Sequence, residues 1–146
     1  MDILFDANVL ADYLLTFRPR HAEARRLFER LEPTDHVIHI PAHAYLELFS
    51  TAISEWRNDP DKVVLERLFR PTTGRRVEVV AIDLKFVRNH LLRPMPMLTA
   101  GDLPYALLSI RDKMLLITED IRLRDETNRN GGRAVGILEA EKLLAA

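Results

Sequence analysis

The chain has 146 residues, of which 47% are hydrophobic, 29% charged and 7% aromatic, the composition of a globular protein rather than a disordered one. It has no cysteine, which excludes a disulfide framework, a thiolate zinc site and a cysteine nucleophile together. Its 21 basic residues, 17 of them Arg, stand against 22 acidic ones; this excludes a uniformly basic nucleic-acid coat but allows an acidic pocket with a basic rim.

In chain order, Ile3-Leu4-Phe5 reads as a short buried strand closed by Asp6. Helical spacing follows over residues 9–17 and 21–31, with Arg18-Pro19-Arg20 between the two helices. The run 37–40 predicts a second strand. Pro41 then opens a long helix with apolar positions at Tyr45, Leu46, Phe49 and Ile53, ending near Pro60. A helix is expected over 62–69, a turn at 72–74, a third strand over 77–82 and a helix over 84–92. The prolines of 93–97 make that segment a loop. A helix over 103–113, a strand over 114–117, a polar loop over 121–133, a strand over 134–137 and a helix over 139–144 complete the chain. Short, continuous apolar strands that alternate with helices predict a three-layer α/β sandwich. Its centre is a parallel sheet of about five strands with helices on both faces, in one domain spanning 1–146. No window approaches the about 18 apolar residues that cross a bilayer, and Asp6 interrupts the first apolar run. The cytoplasm is the expected location.

In such sheets ligands bind beyond the carboxyl ends of the strands, so the residues there carry most of the information. Asp6 ends the first strand, and Asp120 lies three residues beyond Ile117. Asp102 precedes the helix that leads into the fourth strand. Glu47 is the lone acid in the apolar stretch Tyr45 to Phe49. Taken singly, each has an ordinary explanation: Asp6 and Asp102 suit helix caps, Asp120 a turn and Glu47 an exposed helix edge. Brought together, two carboxylates ~5 Å apart repel by about 3 kcal/mol at an effective dielectric near 20. A cluster of them therefore requires protonation or a cation. Oxygen ligands without Cys select Mg2+ or Mn2+ over zinc.

The stretch Ile3 to Leu10, with Glu47, Gly101-Asp102-Leu103 and Leu116 to Asp120, resembles the PIN-domain ribonucleases, and in order and spacing the short VapC-type toxins of toxin–antitoxin pairs. The resemblance covers essentially the whole chain. It implies that Asp6, Glu47, Asp102 and Asp120 are the catalytic acids, with Asp6, Asp102 and Asp120 holding Mg2+ or Mn2+. Asn8 and Thr118 match the accompanying polar residues, and Arg122 is the expected companion for substrate. The implied activity is metal-dependent cleavage of single-stranded RNA, and the implied partners are RNA, a cognate antitoxin and a second copy of the chain. The stretch 122–133 is richer in Arg and Asn than the family pattern, which leaves open what Asp125 and Glu119 do. Two other readings stand beside this one. A non-catalytic PIN-like binding module would tend to lose the acids. A haloacid-dehalogenase-like phosphatase would need an acid where Asn8 stands and room for a cap domain.

Other features weigh less. His36, His39 and His43 lack the spacing of three convergent ligands, and His43, four residues before Glu47, is expected either to flank the cleft or to pair with Glu47. Met95 and Met97 suit an apolar surface. The arginines at 18, 20, 25, 26 and 30 fit a solvated helix face, and equally a phosphate rim or an antitoxin contact. Leu10, Tyr13, Leu14, Phe17, Leu27 and Phe28, with Tyr45, Phe49 and Trp56, offer either core or interface.

Overall fold

Five short apolar strands lie side by side in one sheet in the computed structural model, which describes residues 1–55 and 77–145. The strands are β1 (Asp2–Phe5), β2 (Val37–Pro41), β3 (Val77–Val80), β4 (Leu115–Ile117) and β5 (Arg133–Val135). Their order is β3-β2-β1-β4-β5 and every pairing is parallel, with Leu4 beside His39 on one side and Leu116 on the other. The connecting helices are α1 (Ala7–Leu14), α2 (His21–Leu31), α3 (Ala42–Glu55), α4 (Leu84–His90), α5 (Leu103–Asp112), α6 (Ile121–Arg129) and α7 (Ile137–Leu143). The expected helix over 62–69, the turn at 72–74 and Trp56 lie outside the described residues.

The chain leaves β1 toward β2 and β3, then returns across the sheet to β4 and β5. Right-handed crossovers therefore place the helices of the two halves on opposite faces. On one face α1 packs on α2 and α3, and α2 on α7; on the other, α5 packs on α4 and α6. The expected α/β sandwich is the observed one. The reversal of direction between β1 and β4 leaves a crevice at their carboxyl ends.

Burial explains why β1 and β4 lack alternation: Ile3, Leu4, Phe5, Leu116 and Ile117 are fully enclosed between the helical layers. Phe28 of α2 stacks on Phe5 at 4.6 Å and on Tyr13 of α1 at 4.0 Å between ring centroids, which fixes both helices against the first strand. Leu10, Leu14, Leu27 and Phe28 are thus core rather than interface, whereas Phe17 and Phe49 are exposed.

Several expectations are corrected. Residues 121–129 form α6, not a loop. The average polarity of the segment hides an amphipathic pair, Leu123 and Thr127, which are its only buried residues, behind the cap provided by Asp120. Pro41 closes β2, paired beside Val80, rather than opening the next helix. The face of α3 that packs inward is Ala44, Leu48 and Ala52, with Tyr45 half-buried, while Leu46, Phe49 and Ile53 face outward. Ala44, Leu48 and Ala52 recur every four residues and so share one face of α3, and that periodicity outweighs the larger apolar side chains on the flank. Of the early arginines, Arg18 pairs with buried Asp12 at 2.7 Å, Arg25 with Glu29 at 2.8 Å, and Arg26 and Arg30 both approach Glu141, while Arg25, Arg26 and Arg30 stay largely exposed.

Candidate active site

Asp6 follows the last residue of β1, and its backbone N–H bonds to the Ile117 carbonyl of β4, so it sits at the mouth of the crevice. Two demands meet on its carboxylate. As N-cap of α1 it accepts a long, 3.5 Å bond from the Asn8 N–H, and its other oxygen accepts from the Thr118 hydroxyl at 2.7 Å. The side chain is almost wholly buried. Burial pushes its carboxyl up to about 6; the Thr118 and Asn8 bonds oppose that rise, and the charges of Glu47 and Asp102 add to it.

Thr118 is fully buried, and its hydroxyl serves both strand ends by accepting from the Asp120 N–H at 3.0 Å. Asp120 in turn caps α6 through the Leu123 N–H at 3.1 Å. Asp102 occupies the N-cap position of α5 without making a cap bond, and Pro104 falls in the first turn, where it sacrifices no helical bond. Its carboxylate instead accepts from Thr99 at 3.1 Å. Burial, then the charges of Asp120 and Glu47, hold its carboxyl above the usual range, against Thr99 and Arg122. Glu47 projects from the second turn of α3 and accepts from the Tyr105 hydroxyl at 3.1 Å.

The four expected acids lie within electrostatic reach of one another: Asp6 feels Glu47 and Asp102, and Asp102 feels Glu47 and Asp120. Among the described residues no three His, Asp or Glu side chains stand close enough to enclose an ion by themselves. An oxygen-only, mutually repelling set still fits Mg2+ or Mn2+, because Mg2+ retains several waters and takes few carboxylates. The other expected residues separate. Asn8 contributes its backbone N–H while its side chain is exposed. Arg122 is exposed at the rim, donates to the Met97 carbonyl at 3.1 Å and lowers Asp102. Asp125 is exposed on α6. Glu119 faces the other way, capping α7 through the Ile137 N–H at 2.6 Å with Arg20 at 3.8 Å, so it is structural. Gly136 makes room for it, since a Cβ there would meet Glu119 at 3.0 Å and Arg124 at 2.9 Å.

The histidines do not converge. His36 precedes β2, His39 bonds Asp2 at 2.8 Å across the sheet, and His43 lies 2.9 Å from Glu47. Burial lowers the affinity of His43 for a proton, but its bonds to Glu47 and the Gly101 carbonyl and the nearby charges outweigh this and raise it. Tyr105 escaped the sequence reading: buried in an apolar helix, it looks like core, yet its hydroxyl reaches both Glu47 and the Ala7 N–H. Burial and the two acids push its phenol far up, so it stays protonated and donates.

No curated protein sequence matches the chain. Solved structures do. VapBC2 of Rickettsia felis, bound to a DNA fragment from its promoter, aligns with a TM-score of 0.67 at 16% identity, covering 93% of this chain and 98% of that one. PAE2754 of Pyrobaculum aerophilum aligns with a TM-score of 0.63 at 19% identity, covering 99% and 98%. VapBC-1 of nontypeable Haemophilus influenzae aligns with a TM-score of 0.62 at 16% identity, covering 94% and 99%. These likenesses are of fold. The PIN domain family profile matches residues 3–126 in the sequence itself, the span that contains all four acids, and the chain belongs to the PIN-domain family.

Proposed function

We propose that the protein is a divalent-metal-dependent endoribonuclease that cleaves single-stranded RNA in the cytoplasm, as the toxin of a toxin–antitoxin pair. The observation that carries this reading is the latch between Asp6 and Thr118 at the β1/β4 crevice, with Glu47 and Asp102 close enough to raise Asp6. Asp6, Asp102 and Asp120 would hold Mg2+ or Mn2+. Such an ion supplies an acidified water and neutralises charge on the phosphodiester. Thr118 holds Asp6 by one oxygen, and the first turn of α6 holds Asp120 by one oxygen. Glu47 is the acid placed to orient a water and accept its proton. Arg122, already at the rim, offers its guanidinium to the substrate phosphate. The likeness to VapBC structures supports an antitoxin partner, and a homodimer is the expected assembly. No helix among the described residues is long and apolar enough to cross a membrane.

The test is incubation of the purified protein with single-stranded RNA, the same sequence as DNA, and a duplex, with Mg2+ or with EDTA. Cleavage confined to single-stranded RNA and abolished by EDTA is the expected result. Induced expression in bacteria should arrest growth, and the Asp6→Asn variant should not. Growth arrest without RNA cleavage would refute the nuclease.

A further inference from the structure

Glu47 has two neighbours outside the acidic set: His43, one turn earlier on α3, and Tyr105, in the first turn of α5. Both atoms that meet His43 Nε2 are acceptors, the Gly101 carbonyl at 2.8 Å and Glu47 Oε1 at 2.9 Å. Nε2 must therefore carry a proton. Nδ1 is buried without a partner, so a neutral ring protonated on Nε2 leaves only a lone pair unmatched there. Tyr105 adds a second donor to the same oxygen, at 3.1 Å, while its own oxygen accepts from the Ala7 N–H at 3.3 Å. Oε1 of Glu47 is thus held by donors from α3 and α5, and among the described residues Oε2 takes none.

We propose that His43 is a positioning residue. Gripping Glu47 Oε1 with Tyr105, and holding the carbonyl of Gly101 beside Asp102, it presents Oε2 to the crevice and sets Glu47 against Asp102. Glu47 then needs no rotamer search when ion and substrate arrive, because one of its oxygens is already committed. The functional consequence rests on the nuclease reading, whereas the geometry does not. A plain tether for residues 99–102 would contribute to stability and nothing more.

The experiment compares wild type, His43→Ala and His43→Gln, because Gln restores an N–H donor near the place of Nε2. With single-stranded RNA and Mn2+, His43→Ala should lose about 10–100-fold in kcat while KM stays within about twofold, and Gln should recover much of the loss. Unchanged kcat in the Ala variant overturns the proposal, as does a loss that follows the melting temperature equally in both variants. A wild type inert on RNA would overturn the nuclease reading instead. Mn2+ affinity then decides the positioning role, and His43→Ala should weaken it about tenfold while Gln does not. Should the variants fail to fold, nitrogen NMR of the wild-type imidazole reads the tautomer: Nε2–H is expected, and a neutral ring protonated on Nδ1 overturns the proposal.

Discussion

At Asp6, burial and two neighbouring carboxylates oppose ionisation, and only Thr118 and the Asn8 N–H favour it. The sign of the pH dependence follows. A carboxyl raised from 3.8 to about 6 is neutral at no cost in acid, and as pH climbs through that window the folded state must hold a charge it disfavours. Above that window the penalty is on the order of 3 kcal/mol without metal. Asp6→Asn keeps the shape and removes the charge. Metal-free Asp6→Asn should therefore melt several degrees above wild type at neutral pH and level with it near pH 4, while its RNA cleavage falls by orders of magnitude. A variant no more stable than wild type at neutral pH would show that Asp6 ionises without strain. Tyr105→Phe should cost about 1–2 kcal/mol in thermal or urea unfolding, since the buried Ala7 N–H loses its acceptor. Asp6 and Asp120 were legible in the sequence because strand ends in a parallel sheet are where ligands bind, and Glu47 because it is the lone acid in an apolar stretch. Tyr105 was not, because one hydroxyl on an apolar helix leaves no periodic trace.

Asp120 does two things for α6, and substitution separates them. Asn caps a helix as well as Asp does, so Asp120→Asn should melt within about 0.5 kcal/mol of wild type, whereas Asp120→Ala should lose about 1 kcal/mol. Both should lose cleavage alike; an active Asn variant would make Asp120 a cap and nothing else. Gly136→Ala tests the neighbouring turn. Its Cβ would crowd the Glu119 carboxylate that caps α7, so the variant should be less stable by about 1–3 kcal/mol, read by thermal melting. At this scale the sequence was clearest for β1 and β4, whose apolar runs have no other use than burial on both faces. It was least clear for α6 and for the inward face of α3. In α6 only two of nine residues are buried, and in α3 alanines pack inward while Leu46 and Phe49 do not. The first misreading weighs average polarity above spacing, and the second weighs side-chain size above it. Contact between helices rewards spacing first.

Across the whole molecule, a net charge of −1 conceals a strong division. The early arginines face acids of α2 and α7, and the acids of the crevice face one another. The reversal of winding between β1 and β4 gathers carboxylates from β1, α3, α5 and the end of β4 into one place, though they are far apart in sequence. An ion bound there joins these elements, so Mn2+ at a hundred times Kd should stabilise wild type by about 2.7 kcal/mol, read as a higher melting temperature, and leave Asp6→Asn unmoved. The central claim is that this crevice hydrolyses RNA through a metal held by Asp6. The most direct measurement is the initial rate of cleavage of a fluorescent single-stranded RNA as Mn2+ is titrated into wild type and Asp6→Asn side by side. The account predicts a rate that saturates with Mn2+ in wild type and stays at background in the variant; equal rates in the two proteins, or a wild-type rate indifferent to Mn2+, would contradict it.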